Sequence, residues 1–349
     1  MGVFLDQSWQ QAPVIHALGF SRWKREAVRL CFAGQRVVFV ERAGQVPERA
    51  WLAVWGMHTP HGLPDGVRLL RLEDGFLRSV GLGADLIRPL SLVVDSRGMY
   101  FDATQASDLE VLLETGEFDE ALLARARALR ERIVQAGLTK YNVGSAVWQP
   151  PVTGQLCILV PGQVETDASI AFGAPGIRRN LDLLRAVREA NPDAYVVYKP
   201  HPDVVAGLRA QGAGEDDAAR WCDEVVVDAP MDALLSAVDE VHVLTSLAGF
   251  EALLRGKRVT CYGQPFYAGW GLTHDVVPLA RRTRRLTLDE LVAGCLILYP
   301  RYLNYERGMQ IPAEDVLDRL QLWRTRSGRR TPWWRHLTRM VLRRVVGVR

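Results

Sequence analysis

The chain has 349 residues, 48% of them apolar and 24% charged, and its 43 basic and 40 acidic side chains leave a formal charge of +3. That length exceeds what one hydrophobic core usually serves, so two domains are expected, and so small a net charge argues against nucleic acid as a partner. The five cysteines, Cys31, Cys157, Cys222, Cys261 and Cys295, are scattered without a CxxC pair, which reads as reduced core thiols and points to the cytoplasm.

In chain order, the first twenty residues carry an acid early and lack a basic segment leading into a long apolar run, so no signal peptide is expected. Nowhere do about eighteen apolar residues run uninterrupted, as a membrane span would require. Short runs at 36–42 (RVVFVER), 50–56 (AWLAVWG) and 67–74 (VRLLRLED) read as strands, and 91–103 (SLVVDSRGMYFDA) as a strand pair. Apolar spacing of three and four across 107–138 predicts helices. The Pro-, Gly- and Gln-containing stretch 141–155 reads as a linker. Beyond it, strand-like and helical runs alternate from Leu156 to Gly263, the pattern of a doubly wound parallel sheet. The expected architecture is α/β with two Rossmann-like domains: residues 1–150, then 151–322, then a tail at 323–349.

Two loops in the second series carry chemistry. Tyr198-Lys199-Pro200-His201-Pro202 follows the strand-like AYVVYK, and Thr245-Ser246-Leu247 follows EVHVL and runs into a helical segment. In open α/β sheets ligands sit outside the carboxyl ends of the strands, so both loops are expected at one crevice. Lys199 and His201 would supply cationic and donor groups there. Ser246, with the N–H groups of the helix opening at Leu247, suits an anionic phosphate. Taken singly, a His-Pro is a strand-ending turn and a Ser before a helix is an N-cap.

The segments 72–110, 160–170 (VPGQVETDASI), 197–207 (VYKPHPDVVAG), 245–273 and 288–305 (LDELVAGCLILYPRYLNY) resemble, in unbroken order, the motifs of the capsular polysaccharide β-Kdo transferases, the KpsC-like family. Familiar members carry two such modules in tandem and this chain holds one, resembling the second. The resemblance implies a GT-B-like pair of domains facing across a cleft and a retaining transfer of Kdo, an eight-carbon acidic sugar, from CMP-Kdo to a lipid-linked acceptor. By the same resemblance, His201 with Pro202 and Thr245 with Ser246 hold the cytidine monophosphate. No metal or other cofactor is expected, because one phosphodiester charge is within reach of a His, a Ser hydroxyl and a helix N-terminus.

Glycosyl transfer through an oxocarbenium-like transition state calls for a carboxylate, and two acidic loops offer one. The first holds Glu165 and Asp167, with Asp167 matching the family's acidic catalytic position. The second holds Glu73 and Asp74, which read equally as a turn whose carboxylates pair with Arg71 or Arg78. Gln163 and Tyr267 are expected on the substrate side and Gln264 against the nucleotide. The loop Gln264–Gly271 either shapes the donor pocket or is simply well packed. Arg78, Arg88 and Arg97 either meet a carboxylate or phosphate of the substrates or serve as ordinary ion-pair partners.

The tail at 323–349 is rich in arginine, carries Trp333-Trp334 and has no acid. It suits an anionic membrane surface, and alternatively a disordered segment or a helix packed on the first domain. The placement expected is the inner face of the bacterial inner membrane. Two other functions remain open on the residues: a nucleotide-sugar epimerase and a non-enzymatic capsule assembly or export adaptor.

Overall fold

The computed structural model describes residues 8–79, 88–140, 146–151 and 154–327. The strands are β1 (Val14–Leu18), β2 (Arg36–Val40), β3 (Trp51–Trp55), β4 (Arg68–Asp74), β5 (Ser91–Asp95), β6 (Cys157–Pro161), β7 (Tyr195–Lys199), β8 (Glu224–Val225), β9 (Glu240–Val243), β10 (Arg258–Cys261), β11 (His274–Asp275), β12 (Pro300–Asn304) and β13 (Met309–Ile311). The α-helices are α1 (Arg25–Cys31), α2 (Asp108–Thr115), α3 (Glu120–Gln135), α4 (Ala168–Gly173), α5 (Asn180–Ala190), α6 (Pro202–Val205), α7 (Met231–Ala237), α8 (Leu247–Leu254), α9 (Leu288–Val292) and α10 (Ala313–Ser327). One compact unit is built from the chain up to Arg78 with Arg88–Arg130 and Asp289–Asp318, the other chiefly from Glu131–Leu288.

The sheet of the first unit runs β13-β12-β5-β4-β3-β1-β2. Its β2, β1, β3 and β4 are parallel, and β5, β12 and β13 follow antiparallel. Alternate residues Ile15 and Ala17, Leu70 and Leu72, and Leu92 and Val94 pack on Val28 and Cys31 of α1. Leu52 and Val54 face the other way, onto Val46, as the two-residue period of a strand requires.

The second sheet is wholly parallel and runs β11-β10-β9-β6-β7-β8. Counted within its own unit and read from the β8 edge, this is the order third, second, first, fourth, fifth, sixth, the doubly wound arrangement expected from the alternating runs. Ile158, Val160, Val196 and Tyr198 pack on one face against Leu183, Leu184 and Val187 of α5. Leu159, Val197, Val241 and Val243 are buried on the other, which is why these strands read as continuous apolar runs rather than alternating ones.

Three sequence expectations change. The division at 150 and 322 does not hold, because the chain returns to the first sheet: Pro300–Tyr302 pairs antiparallel with β5, β13 pairs with β12, and Leu303 joins the first core. Only 91–95 of the expected strand pair is extended. Asp95 Oδ1 there accepts the N–H groups of Arg97 (3.0 Å) and Gly98 (2.8 Å) and Oδ2 accepts that of Asp108 (2.9 Å), folding the chain off the sheet. The run EVVVDAP yields a strand of two residues. Of the basic tail, residues 323–327 continue α10 and 328–349 lie outside the described residues. Among the described residues no helix is long and apolar enough to cross a membrane.

Candidate functional site

The second sheet changes winding direction between β6 and β9, so the loops leaving these strands part to open a crevice. Gln163 bridges it. Its side-chain oxygen accepts the N–H of Thr245 (2.9 Å), and its amide donates to Thr245 Oγ1 (3.0 Å). Asn180, at the start of α5, locks the Gln163 backbone from both sides, accepting its N–H (2.9 Å) and donating to its carbonyl (2.8 Å). Gln163 is 8% exposed, and a buried amide is tolerable only when paired in this way. Gly162 precedes it because a Cβ there would lie 2.6 Å from the Tyr198 hydroxyl.

The two acids of this loop take different tasks. Glu165 accepts the backbone N–H groups of Asn180 (2.8 Å) and Ala213 (3.1 Å), fastening the loop to α5 and to the chain ahead of Glu215. Asp167 is exposed and caps α4. Its Oδ1 takes both the N–H (2.9 Å) and the hydroxyl (2.8 Å) of Ser169, and Ser169 Oγ accepts in turn from Thr245 Oγ1 (3.3 Å). Among the described residues Oδ2 of Asp167 has no hydrogen bond. One oxygen is therefore anchored and the other is available to a ligand.

His201 caps the short α6, with Pro202 as its first residue, and its Nδ1 accepts the N–H of Asp203 (3.1 Å). The neutral ring then carries its proton on Nε2. Burial, reinforced by Lys140 and opposed by Asp167, pushes the His201 pKa down to about 4, so at neutral pH the ring is an uncharged donor. Lys199 is 5% exposed and spends one donor on the carbonyl of Val227 (3.1 Å). Burial lowers its pKa to about 8 against the pull of Asp228. Ser246 caps α8, accepting the N–H of Ala248 (3.3 Å), and Leu247 is that helix's first residue.

Tyr267 is not where the sequence expectation put it. Tyr267 is fully buried, and its hydroxyl donates to the carbonyl of Ser246 from inside the unit. It supports the helix start and does not face a substrate. Phe266 and Trp270 are buried beside it, and Arg282 donates to the carbonyls of Pro265 (2.6 Å) and Ala268 (2.7 Å). Gln264 donates to the carbonyl of Pro278 (3.0 Å). So many apolar rings in one loop are accommodated by turning it inward, the well-packed alternative.

In the first unit, Glu73 and Asp74 end β4. Arg78 is 3% exposed and its Nε meets Asp74 Oδ2 at 2.5 Å, which realises the paired-turn alternative and takes this guanidinium out of the substrate-facing role. Glu73 Oε1 accepts the N–H of Asp74 (3.1 Å). Arg71 donates instead to the carbonyls of Gly56 (3.1 Å) and His58 (3.2 Å). Arg88 pairs with Glu26 (2.7 Å) and Arg97 with Asp108 (3.2 Å).

The structure thus gathers Gln163, Asp167 and Thr245 in one hydrogen-bonded chain and sets His201 within electrostatic reach of Asp167. Sequence reasoning missed Ser169 and Asn180. An Asp two residues ahead of a Ser before an apolar run is a capping pattern that would have flagged Ser169. Nothing local marks Asn180.

Residues 62–148 and 152–306 match the family described as capsule polysaccharide biosynthesis protein. The chain is 47% identical over 317 residues to the capsule polysaccharide modification protein LipA of Neisseria meningitidis serogroup A, an alignment covering 86% of this chain and 44% of LipA. It is 41% identical over 343 residues to the lipopolysaccharide-processing protein LpsZ of Rhizobium meliloti, covering 90% of this chain and 77% of LpsZ. The chain therefore spans about half the length of the LipA proteins it matches. Among solved structures, the Thermosulfurimonas dismutans KpsC beta Kdo 2,7 transferase superposes with a TM-score of 0.74 at 41% identity, covering 88% of this chain and 98% of that one. The KpsC beta Kdo 2,4 transferase gives 0.76 at 34% identity, covering 87% and 97%. With the family match spanning more than half of its length, this chain is a KpsC-like member of the capsule polysaccharide biosynthesis protein family.

Proposed function

We propose that the chain is a retaining glycosyltransferase of GT-B type that moves Kdo from CMP-Kdo to a lipid-linked, Kdo-bearing acceptor in capsule assembly. The observation that carries this reading is the Asp167 carboxylate, with Oδ1 held by Ser169 and Oδ2 without a hydrogen bond among the described residues, beside the α8 N-terminus and the neutral His201. The two KpsC structures, both Kdo transferases, support the sugar. Identity of 41% against 34% favours the 2,7 linkage over the 2,4.

In this reading the donor phosphodiester rests on the first N–H groups of α8 and the Ser246 hydroxyl, with His201 Nε2–H donating to a phosphate oxygen. Asp167 Oδ2 attacks the anomeric carbon, forming a carbon–oxygen bond as the bond to phosphate breaks and its electron pair leaves on CMP. An acceptor hydroxyl then displaces the carboxylate from the opposite face, regenerating the free Asp167 carboxylate and giving up its proton to solvent water. Two inversions leave the configuration retained. One phosphodiester charge needs no divalent metal on this account.

Calorimetry with CMP and a transfer assay test the proposal together. Asp167→Ala is expected to bind CMP like the wild type and to lose transfer, because a catalytic carboxylate acts on the transition state. His201→Ala is expected to weaken CMP by about 1 to 3 kcal/mol. Turnover in a folded Asp167→Ala protein with loss in a folded Asp74→Ala protein would move the nucleophile to the first unit. A wild type that fails to bind CMP would favour an adaptor, and release of free sugar from donor alone would favour an epimerase.

A further inference from the structure

The first sheet has a winding reversal of its own. Its parallel strands run β2-β1-β3-β4, so the connections change direction between β1 and β3, the second position in this chain where an α/β sheet offers a crevice. The turn leaving β1 meets the end of β3 there. Lys24 Nζ lies 3.1 Å from the centroid of the Trp55 ring and 5.4 Å from that of Trp23. Phe20 packs edge-on against Trp55 at 6.3 Å and fixes the indole. β4 lies alongside with Leu72 opposite Trp55 in register, so Glu73 and Asp74 follow directly past the strand end.

Lys24 is half-buried and, among the described residues, its ammonium makes no hydrogen bond and no ion pair. The nearby acids are committed elsewhere: Asp74 to Arg78, and Glu73 Oε1 to a backbone N–H. Burial lowers the Lys24 pKa, the charges of Asp74 and Glu73 oppose that and Arg78 adds to it, so the partly desolvated ammonium rests on an indole face rather than against an acid. A cation over one indole and beside another, at a sheet's winding reversal, is a place for an anion that also carries an apolar face.

We propose that Lys24, Trp55 and Trp23 form a subsite for a carboxylated sugar, the ammonium pairing with the carboxylate and an indole face taking the C–H side of the pyranose ring. On the function proposed above, that sugar is the terminal Kdo of the acceptor, and only this last identification rests on that reading. The subsite is separate in residues and in sheet from the Asp167 loop, so the two can fail independently.

Binding of the methyl glycoside of Kdo and of its carboxyl-reduced counterpart to the full chain, followed by calorimetry, decides the matter. The wild type is expected to bind the carboxylate form about tenfold or more tightly than the reduced form, as loss of a charge-assisted contact implies. Lys24→Gln and Trp55→Leu are expected to weaken the carboxylate form, Lys24→Gln to erase the discrimination, and Lys24→Arg to keep it. CMP binding and the thermal midpoint should be unchanged in the lysine variants. A wild type that binds neither glycoside or does not discriminate, or a folded Lys24→Gln protein that still discriminates, overturns the subsite. Failure of the wild type to bind CMP, with discrimination intact, would sink the transferase reading and leave the subsite standing.

Discussion

Glu251, in α8, is 8% exposed and accepts the backbone N–H of Lys140 at 2.6 Å. Burial raises its pKa from 4.5 to about 7, against the opposing effects of that hydrogen bond and of Arg255. A raised acid is protonated in the folded chain while it is already ionised in the unfolded one. Its contribution therefore falls as pH climbs from about 4.5 to about 7 and stays unfavourable above that. Glu251→Gln keeps an acceptor oxygen and removes the titration. Relative to wild type, the variant should gain on the order of 2 to 3 kcal/mol between pH 4.5 and pH 7.5 in urea unfolding. A wild-type-to-variant difference that is the same at both pH values would show that folding leaves the Glu251 pKa unraised. The same scale explains what the sequence made legible of the site. His201, Thr245, Ser246 and Asp167 announce themselves because caps and strand-end turns are local patterns. Glu165 looks like Asp167 on paper and is told apart by partners 15 and 48 residues away. Arg78 and Tyr267 are the same case, polar groups whose direction is set by packing that no local pattern encodes.

At the scale of elements, α8 depends on an exclusion at Gly249. A Cβ there would collide with the Tyr267 hydroxyl that holds the Ser246 carbonyl. Gly249→Ala should then cost about 1 to 3 kcal/mol in denaturant unfolding, the usual range for overpacking, despite the better helix propensity of alanine. Adding Tyr267→Phe removes the nearest atom, so the double variant should recover part of the loss. Additive effects of the two changes would place the collision elsewhere. Elements with strong periodicity, such as α2, α3 and the runs that became β2, β3 and β4, were readable before the fold was known. β1, β12 and β13 were not. His16 interrupts the apolar run of β1, and β12 is drawn into its sheet by the open edge of β5, a partner some 200 residues away that periodicity does not report.

For the molecule as a whole, residues 328–349 add seven arginines and no acid to a chain whose net charge is only +3. If they hold the protein to an anionic leaflet, each contributes about 1 kcal/mol near the lipid surface. Ending the chain at Ser327 should then reduce co-sedimentation with anionic vesicles and slow transfer to a lipid-linked acceptor, while transfer to a short soluble one persists. Salt should mimic part of the loss, since charge attraction is screened over roughly 10 Å at 0.1 M. Equal sedimentation of both chains would mean the tail does not meet the membrane.

The return of Pro300–Ile311 to the sheet begun at Val14 also governs how the chain is made. A ribosome delivers β1 to β5 first and then spends on the order of ten seconds or more translating the second unit before the strand that covers the β5 edge emerges. Throughout that interval the nascent first sheet carries an unpaired, apolar border, the kind of edge on which chains cross-associate. Synthesis is thus ordered inside out: the unit encoded in the middle can finish folding before the unit encoded at the start, and the earlier half waits for its last strands.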